Sequence, residues 1–400
     1  MNDPADDDRD HPLSWHWRPV DPDACDILGL PPAKSRVEAI ARAYIITEAF
    51  VVGRADSEAW ISYSRRKEWY AGRSRYWPAT FTYTTVVRAV DMLTAAGLLD
   101  HQKMPPLHFG WQSRFKASAE LIKLLSGQSL TVLHDPCELL ILRDIDGNLV
   151  EYSDTARTRK MRRNLEEINE ALLAVAIGVQ GQGTIKNGDP LSMGGMNIGA
   201  ARNDLHRVFN RSTFRLGGRL YGGWWQNTPK GLRQHITIDG HRTVELDYPR
   251  LHPTFLYTQA GKLLQGDPYE IAGSDRSLAK IAFNALVNAD TRLSAVRAIA
   301  NEIGGEGAHS MAERLVKEIE AKHKPIADLF GTGAGLRLMR QDSDLTEGLL
   351  LALISKPRVV VLPIHDSYIV PEGHKGELME AMADAMGKTL KIVARMPMLP

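Results

Sequence analysis

The sequence predicts an α+β protein of helices and short antiparallel strands, in more than one domain. Three observations carry that expectation. The chain has 400 residues, 44% hydrophobic and 24% charged, which are ordinary globular values over a length sufficient for two or three domains. Apolar residues recur at helical spacing in several segments, as at Val37, Ile40, Ala41, Tyr44 and Ile45. Elsewhere short apolar β-runs meet at turn residues, as at Asp239-Gly240 and around His365-Asp366.

Along the chain, residues 1–24 hold seven Asp against two Arg, a net of −5, which leaves a mildly basic body in a chain of total charge +1. With Pro among the Asp and no apolar period, residues 1–30 are expected to be an acidic disordered tail. Cys25 and Cys137 are the only cysteines, which excludes a disulfide framework and a Cys-based zinc site. The acidic start lacks the basic and apolar pattern of a signal peptide. The apolar runs Gly348–Ile354 and Val359–Ile364 are too short to span a bilayer. A soluble cytoplasmic protein without a membrane partner is the expectation.

Order is expected from Ser35, where Ser35 and Glu38 have the spacing of a capping box. A second helix follows Thr82, with Val86, Val90 and Leu93 as its apolar stripe and Gly97 as its stop. Met104–Trp111 would form a wing and Arg114-Phe115-Lys116 its return strand, so residues 31–128 read as a winged-helix-like domain. The Thr-rich helix could dock on DNA, or the unit could be a generic helix–hairpin packing. Residues 129–205 read as strands around Asp146-Gly147-Asn148, a basic helical connector and a long loop over 178–200. Arg157, Arg159, Lys160, Arg162 and Arg163 fall within seven residues. They suit phosphate, or form a solvated turn balanced by Glu166 and Glu167. The remaining core is 206–400.

The chemistry concentrates in that core. Thr243–Leu246 is a short strand pattern, so Asp247 sits where a strand ends. Pro357–Val370 reads as two β-runs with Asp366 at the tip between them. Two carboxylates from separate strands can hold two Mg²⁺ ions, with Mn²⁺ as the alternative, and such a pair suits phosphoryl transfer. Arg276, Lys280, Asn284 and Asn288 recur every four residues along one helical face. Leu278, Ile281, Ala282 and Ala285 are expected behind it. Two cations and two amides in line suit a triphosphate and its sugar or base.

These three segments resemble motifs A, B and C of the palm-and-fingers polymerases, namely family A DNA polymerases and the single-subunit phage-type RNA polymerases. Ile364-His365-Asp366-Ser367-Tyr368 resembles the His-Asp-Ser form of motif C in the phage-type enzymes. Asp247-Tyr248 opens motif A as in family A, while Leu251-His252-Pro253 is closer to the Leu-Tyr-Pro of family B. Arg276 and Lys280 match the Arg-x3-Lys of family A motif B, and Lys280-x3-Asn284 the Lys-x3-Asn of family B. Gly217–Tyr221 resembles the Gly-Arg element upstream of motif A, with Arg215 where Thr or Asp is usual. Gln341, opening a helix Leu345–Ile354, resembles the Gln that precedes motif C in family A.

The resemblance spans roughly residues 213–375 and implies an α+β polymerase palm with an antiparallel sheet and short helical fingers. Residues 129–205 would then be thumb-like. Asp247 and Asp366 would be catalytic metal ligands. Arg276 and Lys280 would bind the triphosphate, with Asn284 and Asn288 on the same face. His252 would stand at the sugar gate, which favours deoxynucleotides. Tyr248 would either flank the nucleotide or anchor in the core. Arg219, Gln341 and His365 would contact template–primer, joined by Arg159, Lys160, Arg162 and Arg163. Trp224-Trp225 would stack on bases or pair in the core. The motif B aromatic is missing, since Asn288 takes its place, and no Asp-x-Glu arrangement of exonuclease type lies in a suitable domain, so proofreading is not expected. The implied activity is template-dependent nucleotidyl transfer, DNA polymerase favoured. An RNA polymerase or primase on the same palm is the first alternative, and a non-enzymatic winged-helix replication initiator the second.

Overall fold

A computed structural model describes residues 10–71, 75–104, 112–128, 130–356 and 358–395. The fold is mixed α+β with small sheets and divides into two interleaved units. The first comprises residues up to 139 with 173–205 and 222–242; the second comprises 140–172, 206–221 and 243 onward. The chain therefore passes between them five times. The contiguous segments 129–205 and 206–400 drawn from the sequence do not correspond to either unit. Strand pairing across long sequence gaps, invisible to composition, sets the division.

In the first unit, helix α1 (Arg36–Ala55) starts at Ser35, whose hydroxyl accepts from the Glu38 N–H at 3.2 Å. The reciprocal bond goes one residue earlier than a capping box requires, with the Lys34 N–H donating to Glu38. The buried face begins at Ala41 and runs through Ile45, Ile46, Ala49 and Phe50, while Val37 lies exposed. Helix α2 (Tyr83–Ala95) has a full capping box between Thr82 and Thr85 and buries Val86, Val90 and Leu93 completely. The strand Ile61–Tyr63 pairs with Ser113–Ala117, which pairs in turn with Leu99–Gln102. Helix α3 (Ala119–Ser126) follows. Most of the expected wing, 105–111, lies outside the described residues.

The N-terminal segment departs from its expected disorder. Residues His11–Pro12 and Trp17–Pro19 are strands, and Leu13, Trp15 and Trp17 are buried. Alternation every second residue was the overlooked signal, outweighing the acidic composition. Glu48 on α1 pins this segment by accepting bonds from the Ser14 N–H and hydroxyl. Burial pushes the Glu48 carboxyl up to about 6 against these bonds. The stretch 178–200 is likewise not a loop. Pro190–Met193 and Met196–Ala200 form a hairpin whose Gly194-Gly195 turn has both φ positive, the pattern of a type I′ turn.

The second unit holds helices α4 (Ala156–Leu173), α5 (Leu251–Gln259), α6 (Arg276–Asn288), α7 (Arg292–Ile303), α8 (Ala308–Lys322), α9 (Ala334–Ser355) and α10 (Lys375–Val393). Thr243–Asp247 pairs antiparallel with Ser367–Pro371, which pairs antiparallel with Leu362–Ile364. Pro363 is tolerated because its strand is the sheet edge. A second sheet orders Gly217–Tyr221, His206–Phe209 and Leu140–Leu142. Helix α9 begins at Ala334, well before the expected Leu345, so Gln341 sits mid-helix. Among the described residues no helix is long and apolar enough to cross a membrane.

Candidate active site

The strand ending at Asp247 and the strand opening at Ser367 place these two residues directly opposite each other. The Tyr248 N–H donates to the Asp366 carbonyl at 3.1 Å. Asp247 and Asp366 therefore share one end of one sheet, and both are exposed. Strand alternation puts Glu245 on the same face as Asp247. Its carboxylate accepts from the Ser367 hydroxyl at 2.7 Å. Glu245 was not singled out from the sequence, although its position two before Asp247 carried the signal. Among the described residues no group of three or more His, Cys, Asp or Glu gathers as a metal-ligating set. Two exposed carboxylates are an oxygen-only donor set, which suits a hard divalent cation that keeps waters and substrate phosphates in its shell.

The turn presenting Asp366 is a two-residue loop between Ile364 and Ser367. His365, its first residue, has φ +56, and Asp366 has none of the positive φ. That sign pattern belongs to a II′ turn, where Gly is usual. A non-Gly residue there costs about 1–2 kcal/mol. The surroundings hold it: the Thr346 hydroxyl donates to the His365 carbonyl at 3.3 Å, and the His365 ring meets Tyr221 edge-on at 5.7 Å.

Beneath the sheet end, Tyr248 is buried and its hydroxyl donates to the Met382 carbonyl at 2.6 Å. It packs edge-on against fully buried Tyr368 at 5.9 Å. Tyr248 is thus a core anchor and not a nucleotide contact, because its polar end is spent inside the fold. Trp224 and Trp225 are a buried pair in the first unit and offer no base-stacking surface.

Arg219 engages Asp342 of α9, with Nη2 at 2.8 Å and Nε at 3.0 Å from the carboxylate. The Asp342 side chain is 1% exposed, and His252 Nε2 lies 3.8 Å from the same oxygen. Burial alone would raise the Asp342 carboxyl. Nearby His252 and the Arg219 charge outweigh it and hold the group below its ordinary value. A cavity of about 10 Å³ joins this pair to the hairpin, lined by Arg219, Asp342, Thr346, Pro363 and His365. Arg219, His252 and His365, widely spaced in sequence, are thereby gathered. Gln341 is buried in α9, which leaves it short of the surface a primer contact needs. Asp342, its neighbour, went unremarked in the sequence.

On α6, Arg276 pairs with Asp267 at 2.5 Å, and both Arg276 and Lys280 lie over the Tyr269 ring. Asn284 is exposed on the same face. The apolar face is Ala279, Ala282, Phe283, Leu286 and Val287, with Ile281 exposed against expectation. Asn288 is exposed at the end of the same face. Its amide donates to the Asn284 carbonyl at 2.8 Å, and its Oδ1 fills the space a Cβ on Gly335 would take.

Helix α4 buries Met161, Leu165, Ile168 and Leu172, so its cations turn outward. Arg162 pairs with Asp154 at 3.0 Å, and Arg159 donates to the Asp154 carbonyl at 3.4 Å. Lys160 and Arg163 are exposed. A separate buried network holds α9 in place. Fully buried Arg207 donates to the Gly218 carbonyl at 2.7 Å and the Ser343 hydroxyl at 2.6 Å and pairs with Glu347, which also accepts from Asn164.

No protein-family model, no curated protein and no solved structure matches this chain.

Proposed function

We propose that the chain is a template-dependent nucleic-acid polymerase, with DNA as the favoured product. One observation carries the reading: Asp247 and Asp366, far apart in sequence, stand exposed at the shared end of two paired strands. Asp247 and Asp366 would hold Mg²⁺ or Mn²⁺, which when bound would stabilise negative charge on the attacking and leaving oxygens of an in-line phosphoryl transfer. Arg276 and Lys280 would neutralise the triphosphate. His252, held beside Asp342, would crowd a ribose 2′-hydroxyl and so favour deoxynucleotides. The strain at His365 would fix the direction of Asp366, and the exposed cations of α4 would meet phosphates of the template–primer.

The test offers dNTPs and NTPs in parallel, with and without primer, in Mg²⁺. Wild type should extend a primed template. Asp366→Ala and Asp247→Ala should each lose at least about a thousandfold in incorporation while template binding survives. An Asp366→Ala variant that incorporates at the wild-type rate refutes the reading. NTP use without primer would select the RNA polymerase or primase alternative. A second reading rests on the first unit. Its strand order, with Ser113–Ala117 between Ile61–Tyr63 and Leu99–Gln102 and helices α1 to α3 in the same unit, would suit a winged helix. Duplex binding without magnesium-dependent incorporation would favour a non-enzymatic initiator.

A further inference from the structure

The segment before α6 is fastened at three successive alternate carbonyls. Arg250 donates to Gly266 at 2.5 Å, His323 to Pro268 at 2.8 Å, and Lys322 to Glu270. Asp267 caps the turn by accepting the Tyr269 N–H at 3.0 Å. Tyr269 is 7% exposed and meets Phe283 of α6 edge-on at 5.6 Å. Over its ring stand the Arg276 guanidinium at 5.6 Å and the Lys280 ammonium at 5.8 Å. The Arg276 side chain is 59% exposed, yet its guanidinium is held at 2.5 Å from Asp267. Two long cationic side chains on an open helical face would otherwise sample many rotamers. Here one aromatic ring and one carboxylate fix them.

We propose that Tyr269 is a positioning residue that holds Arg276 and Lys280 as a polyphosphate seat, and that Asp267 is the internal counter-ion a polyphosphate displaces. This rests on the polymerase reading for its natural ligand, a nucleoside triphosphate. Burial first, then the Asp267 carboxylate, holds the Tyr269 phenol above its usual range.

The experiment titrates the full chain with inorganic tripolyphosphate by calorimetry and measures nucleotide KM on a primed template in parallel. Asp267→Asn keeps the oxygen that caps the Tyr269 N–H and removes the charge. It should bind tripolyphosphate about fivefold more tightly, with KM falling in step. Tyr269→Leu should weaken both by about tenfold, and Tyr269→Phe, which keeps the ring face, should stay within about twofold of wild type. Because Asp267 is partly exposed, its arm stands even where Tyr269→Leu fails to fold. Unchanged or weaker tripolyphosphate binding by Asp267→Asn overturns the proposal, as does a Tyr269→Phe defect equal to that of a folded Tyr269→Leu. If wild type incorporates nucleotide but the variants do not shift binding as stated, this inference alone fails. If the variants shift binding as stated but no nucleotide is incorporated, the seat stands and the polymerase reading falls.

Discussion

Asp342 keeps its charge with a side chain 1% exposed because Arg219 faces it at 2.8 Å and His252 at 3.8 Å. Removing a carboxylate from such a pair leaves the cation without its partner, and that asymmetry sets the cost. Asp342→Asn should destabilise the protein by about 3 kcal/mol at pH 7, read from denaturant midpoints. The pH dependence has a definite sign. The folded carboxyl is lowered from 3.8, so its contribution is fully present above about pH 4. It is lost as pH falls through the depressed folded value. Wild type and Asp342→Asn should therefore converge in acid, and a difference that stays constant from pH 7 down to pH 2 would remove the charge from the explanation.

Between elements, the approach of α6 to α9 turns on one glycine. A Cβ at Gly335 would collide with Asn288 Oδ1 and stand 2.8 Å from its Cγ. Asn288 cannot swing away freely, since its amide is bonded to Asn284. Alanine would gain about 1 kcal/mol of helix propensity, so a net loss would have to come from the clash. We expect Gly335→Ala to destabilise by about 1–3 kcal/mol and Asn288→Ala in the same chain to recover most of it, measured by thermal unfolding. This scale also separates what the sequence disclosed from what it hid. Helix α6 runs from Arg276 to Asn288 as its apolar spacing predicts, and the Asp239-Gly240 turn has both φ positive, as a two-residue hairpin turn demands. Those features depend on neighbours in sequence. The pairing of Asp342 with Arg219, or of Tyr269 with two cations, depends on which helix face meets which segment, and periodicity alone does not set that. The hairpin of Pro190–Met193 and Met196–Ala200 was hidden because Gly194 and Gly195, which read as a loop, serve as the turn between short strands.

At the scale of the molecule, the interleaving has a consequence that composition alone would miss. A cut before residue 206 leaves the candidate site residues of strands, α5, α6 and α9 on one fragment, yet it removes 140–172 from the unit they belong to. The loss includes the strand Leu140–Leu142, whose parallel partner is His206–Phe209. It also includes α4, with Met161, Leu165, Ile168 and Leu172 all at most 4% exposed. Four such side chains contribute roughly 6–12 kcal/mol by area burial. A whole domain is stable by only about 5–15 kcal/mol. Arg207 would in addition keep Glu347 while Glu347 lost Asn164. The fragment 206–400 should therefore lack a cooperative melt by circular dichroism, whereas 140–400, which contains every residue of the second unit, should retain one. A cooperative transition in 206–400 within a few degrees of that in 140–400 would mean that α4 is dispensable to the unit, and the division of the chain drawn from its contacts would be wrong.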